Sequence, residues 1–149
     1  MRQRFAVLAA ALWWGSLTAI GALAVPVLFA SLPPPAMAGY AAARLFAAQM
    51  WVSVGCGVLL LVLSCRSGDA VQPAWAGAAL LFVLAGLLLA LVTQFGVAPR
   101  IVARENLRVW HTVGSVLYAL QWVCSLVVLS VVTGPKALES PDAGRDASS

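Results

Sequence analysis

The chain has 149 residues, of which 62% are hydrophobic and only 9% charged, with a formal net charge of +4. A soluble domain carries about 25% charged residues, so this chain lacks the charge to cover a globular surface, and lipid is the solvent around most of it. Its basic residues are spread over segment ends rather than gathered in one patch, which argues against nucleic acid as a partner and for membrane lipids, the anionic headgroups above all.

Four stretches carry no charge: 5–43, 45–65, 70–99 and 109–135. A helix needs about 20 apolar residues to cross a bilayer core of about 30 Å, and each stretch is long enough. Lipid offers the backbone no hydrogen-bond partner, so crossing segments must be helices. The alternating pattern of membrane barrel strands is absent. The prediction is an all-α integral membrane protein, a four-helix transmembrane bundle within residues 1–134. Its helices are placed at about 5–32, 44–64, 74–103 and 107–132, followed by a disordered polar tail, 135–149.

In chain order, the first helix follows Arg2 and Arg4 and stops at Pro33-Pro34-Pro35. Pro26 should kink it, and Ala11, Gly15 and Ala19 form a small-residue face. The apolar region of a signal peptide is about 7–15 residues; this run is much longer, so the first helix is expected to be retained. A Pro- and Ala-rich loop, 31–43, leads to the second helix. There Gln49, Ser53 and Cys56 share one face, which should look into the bundle because a glutamine facing lipid is costly. After a short polar turn, 65–69, the third helix begins near Pro73 and is Leu-rich and featureless until Gln94. Pro99 is read as a kink in a helix continuing to about Arg104, with Asn106 as the N-cap of the fourth helix. Along that helix Arg108, His111, Ser115, Tyr118 and Trp122 make one stripe, expected to face the bundle interior. No internal repeat is visible.

The segment VAPRIVARENLRVWHTVGS, 97–115, concentrates the polar chemistry. Arginine at the bilayer centre costs about 2.5–3.5 kcal/mol on insertion scales, so Arg100, Arg104 and Arg108 belong at headgroup depth, where guanidinium groups bind phosphate through paired hydrogen bonds. With His111 and Ser115 they are the binding candidates; Gln49, Ser53, Cys56 and Tyr118 are the polar groups assigned to the interior. No catalytic residue is assigned. His111 and Ser115 are one turn apart, but no carboxylate is placed to orient the histidine. Cys56, Cys65 and Cys124 lack metal-ligand spacing, so no metal is expected. No cofactor is assigned. The alternative is haem on His111; with one histidine in the chain, two-histidine ligation would require a homodimer. For orientation, Arg2, Arg4, Arg66, Lys136 and Arg145 lie on one side and Arg44, Arg100, Arg104 and Arg108 on the other. The first helix often dominates, which puts both termini in the cytoplasm.

Several short motifs recur in a familiar order. They are Trp14-Gly15-Ser16, Val25-Pro26-Val27-Leu28-Phe29, Arg44-Leu45-Phe46, Ala98-Pro99-Arg100, and Trp110-His111 with Ser115. In this the chain resembles the small four-span membrane family that includes the eukaryotic transmembrane protein 205, catalogued in bacteria as domain of unknown function 4149. The resemblance implies a four-helix membrane fold, a bacterial inner-membrane location and no established activity; drug and metal-compound resistance is associated with the eukaryotic member. It also implies an asparagine two turns after the histidine, where this chain has Tyr118. The resulting reading is a non-enzymatic four-helix membrane module. Haem chemistry at His111, or anionic-lipid binding at the arginine cluster, is the alternative.

Overall fold

The computed structural model describes residues 1–65, 73 and 75–134. Four long helices run through them: α1 (Arg2–Ser31), α2 (Pro35–Ser64), α3 (Ala76–Val102) and α4 (Leu107–Thr133). Each is long and apolar enough to cross a membrane. No strand occurs among the described residues. The tail expected to be disordered, 135–149, lies outside them, as do residues 66–69 of the polar turn expected at 65–69.

The helices pack as a ring in chain order, α1 against α2, α2 against α3, α3 against α4 and α4 against α1. Neighbours are therefore antiparallel. The interior is small: Ala6, Ala9 and Ala10 of α1 and Ala76, Ala79, Gly86 and Ala90 of α3 are buried, around Trp13, Leu17, Leu60, Val83, Val128 and Val132. Large apolar side chains point outwards, among them Leu8, Trp51, Leu81, Leu88 and Phe95. In lipid no hydrophobic force drives helices together, so small residues that let backbones approach supply the packing. Gly86 is one such place. A Cβ there would lie 2.8 Å from Cη2 of the fully buried Trp13 indole, so only glycine lets the indole cross from α1 to α3.

Polar side chains close the end that carries the N-terminus. The Arg2 guanidinium donates to the carbonyls of Leu63 (3.1 Å) and Cys65 (2.6 Å), and Gln3 donates to that of Val132 (2.6 Å). Carbonyls at the ends of α2 and α4, which have no helical partner, are thereby satisfied.

α2 begins at Pro35, well before the start near Arg44 read from the sequence. Proline is tolerated in a first helical turn, and the alanine-rich stretch behind it is strongly helix-forming. The segment read as a loop is thus mostly helix, and Arg44 lies within α2. Pro26 and Pro99 do interrupt their helices, in the same way. A six-residue π turn, Ala19–Ala24 in α1 and Val92–Val97 in α3, ends two residues before each proline. A proline ring clashes with the carbonyl four residues earlier. Those carbonyls, of Ala22 and Phe95, both lie inside the widened turns.

This match is part of a larger one. Gln49 and Gln121 stand equally far from Pro35 and Leu107, the first residues of their helices, and Ser53 and Ser125 follow each by one turn. Gln49, Ser53, Cys56 and Leu60 are buried, as are Gln121, Ser125, Val128 and Val132 at the same spacing. Residues matched between the hairpins also meet across the bundle: Trp13 packs over Gly86, and the rings of Phe46 and Tyr118 lie 5.3 Å apart, edge to face. The two hairpins, α1–α2 and α3–α4, thus share these features at matching positions: burial, a Gln-x-x-x-Ser pair and a proline after a π turn.

Candidate functional site

Two polar regions stand out, one at the centre of the bundle and one at the end away from the N-terminus. At the centre, Gln49 Nε2 donates to Ser16 Oγ (2.9 Å) and lies 3.4 Å from Ser53 Oγ. Gln121 Nε2 donates to that same Ser53 oxygen at 2.9 Å. Three helices, α1, α2 and α4, are thereby joined by uncharged groups near the middle of their lengths. Gln49 Oε1 is buried without a hydrogen-bond partner, and so are the indole nitrogens of Trp13 and Trp14. Cys56 is buried and free one turn beyond Ser53.

A second contact set joins α4 to α1 beside the π turn. The Tyr118 hydroxyl donates to the Leu17 carbonyl at 2.7 Å, just before the π turn, and the Tyr118 ring lies against Gly21. A side chain from a neighbouring helix bonded to a backbone carbonyl is a recognised cause of helix distortion. Trp122 Nε1 donates to Thr18 Oγ1 at 2.8 Å, and its ring lies 5.9 Å from that of Trp14.

At the far end, α3 and α4 are joined by the turn 103–106. Arg100, Arg104, Glu105 and Arg108 are all exposed there. The Arg100 guanidinium carbon sits 4.4 Å from the centroid of the Trp110 ring, and Nη1 donates to the Gly96 carbonyl at 3.3 Å. Arg104 and Asn106 have positive φ, 59° and 40°. Asn106 does occupy the N-cap position, but in a left-handed conformation and without a side-chain capping bond. Asparagine tolerates that conformation; for arginine it costs roughly 1–2 kcal/mol. No ion pair joins Glu105 to an arginine among the described residues. Arg44, deeper in α2, is exposed and directs Nη1 to the Tyr40 hydroxyl at 3.4 Å, one turn nearer this end. This is the geometry of an arginine snorkelling towards the interface.

The stripe on α4 divides. Tyr118 and Trp122 are half-buried against α1, whereas His111 and Ser115, expected inside, are exposed. The cause lies in α1. Beyond its π turn the segment Val25–Ser31 buries no residue and packs on α2. It therefore leaves the first turns of α4 uncovered. Sequence reading missed two members of the central cluster, Ser16 as a partner and Gln121 altogether. The repeated Gln-x-x-x-Ser of the second and fourth spans was the available signal. Among the described residues no three His, Cys, Asp or Glu side chains gather as a metal site.

A ring of four apolar antiparallel helices with a small-residue interior defines the molecule as a four-helix integral membrane protein. Over residues 8–109 it matches the family described as Domain of unknown function (DUF4149), and the chain belongs to that family. No curated protein and no solved structure matches it.

Proposed function

We propose that the protein is a non-enzymatic membrane module whose arginine-bearing end holds anionic phospholipid headgroups, in a bacterial inner membrane with both termini cytoplasmic. One observation carries this reading: Arg100 at the end of α3, Arg104 in the turn and Arg108 at the start of α4 are all exposed, and none forms an ion pair with the neighbouring Glu105. Unpaired guanidinium groups at headgroup depth have lipid phosphate as their nearest anion. Arg104 keeps a backbone conformation that glycine would adopt freely, which supports a use for its side chain. His111 and Ser115, exposed on the first turns of α4 after Arg108, add hydrogen-bonding groups at this end.

The test is native mass spectrometry of the protein released from membranes of phosphatidylglycerol and phosphatidylcholine. Retained phosphatidylglycerol should fall in Arg100→Lys and Arg104→Lys, because an ammonium cannot copy a bidentate contact. Arg104→Gly should lose lipid as well while gaining about 1 kcal/mol of stability from relief of the left-handed backbone. Lipid retention equal to wild type in all three would leave the arginines as ordinary interfacial anchors. For the haem alternative, His111 is exposed, so a haem on it would lie outside the bundle unless a second protomer covered it. The resemblance to transmembrane protein 205 adds no activity to this reading.

A further inference from the structure

Gln49 is 3% exposed, yet only its donor end is used. Its Nε2 and that of Gln121 converge on Ser53 Oγ, at 3.4 and 2.9 Å. A hydroxyl oxygen has two lone pairs, so these two donors fill it. Gln49 Oε1 remains as an acceptor facing no donor, in the middle of a span where lipid cannot supply one. Leaving such a group unmade costs about 1–3 kcal/mol. The Trp13 indole N–H, fully buried less than one turn before Ser16, is likewise unpartnered.

The surroundings limit what can answer Gln49. Ser16, Ser53, Gln121 and the indoles are all neutral. A charged ligand here would meet no counter-charge and would carry the full desolvation penalty of a buried ion. The ligand must therefore be uncharged, and it must offer an O–H or N–H. The position also fits a site rather than a packing fault: Ser16 from α1, Gln49 and Ser53 from α2 and Gln121 from α4 converge near the middle of their helices.

We infer that the centre of the bundle binds a small neutral hydrogen-bond donor, water or a small hydroxyl or amide solute, through Gln49 Oε1. Water-edited solid-state NMR on the ¹⁵N-labelled full chain in phosphatidylcholine–phosphatidylglycerol liposomes reads this at the side-chain amides of Gln49 and Gln121. Magnetisation passes from water to both amides in the wild type. If added glycerol or urea leaves the transfer intact, the occupant is water. If either solute abolishes it and shifts the Gln49 resonance, the site takes the solute. Gln49→Met keeps the length of the side chain and removes its acceptor, so transfer to Gln121 is lost while the backbone spectrum stays that of the folded protein. A Gln49 amide as dry as the surrounding leucines overturns the inference, as does undiminished transfer to Gln121 in a folded Gln49→Met variant.

Discussion

Tyr118 shows how much one side chain can do in a bundle without a hydrophobic driving force. Its hydroxyl donates from α4 to the Leu17 carbonyl of α1. Its ring also lies so close to Gly21 that a Cβ there would stand 2.8 Å from Cε1. Tyr118→Phe keeps the ring and removes this interhelical bond, so stability should drop by roughly 0.6–1 kcal/mol. Reversible unfolding in mixed micelles measures it. Stability equal to wild type would mean that ring packing alone holds α4 against α1 here. Tyr118 was legible in the sequence as a polar group on an interior face. The carbonyl it bonds was not, because it belongs to another helix.

At the scale of the element, the two π turns explain why α1 and α3 end as they do. Both end two residues before a proline, and both lie between the central cluster and the arginine-bearing end. The Ala98 N–H reaches back to the Thr93 carbonyl across the widened turn, which frees Phe95 from the clash with the Pro99 ring. Pro99→Ala restores a donor and removes the ring, so the turn should relax towards α-helical pairing. Hydrogen–deuterium exchange at residues 92–99 should then slow relative to wild type. Exchange at the wild-type rate would show that packing against α4, rather than the proline, holds the turn open. That the helices would be disturbed near Pro26 and Pro99 was readable from the prolines. The compensating π turns were not, since the same proline can be absorbed by a bend, a break or a widened turn, and the neighbouring helices select among these. The start of α2 was misread for a related reason. Pro33-Pro34-Pro35 signals a break equally well when a new helix begins on its last residue.

For the whole molecule, Arg2 and Gln3 tie the N-terminus to the ends of α2 and α4, so both ends of the bundled chain leave on one side. The other end carries Arg44, Arg100, Arg104 and Arg108. The expected orientation follows the first helix: a cytoplasm-active reporter fused after Ser149 gives signal, and a cysteine placed at Arg104 is labelled by an impermeant reagent from outside. The reverse pattern would put the arginine end in the cytoplasm, in line with the charge rule for short loops, and would bring the anionic inner-leaflet surface to it.

The sequence by itself determined the solvent, the helical class and the four spans, because these depend on composition and run length alone: lipid allows no other way to satisfy the backbone. It also determined that Gln49, Ser53 and Cys56 share a face, since that is a matter of helical period. Only the tertiary structure decided which helices meet. That choice brought Gln121 onto Ser53, left Gln49 Oε1 without a donor, set Trp13 over Gly86, and turned the end of α1 away so that His111 stands exposed. Such pairings depend on the close approach of particular small residues across the bundle, a property of facing surfaces that no single stretch of sequence contains.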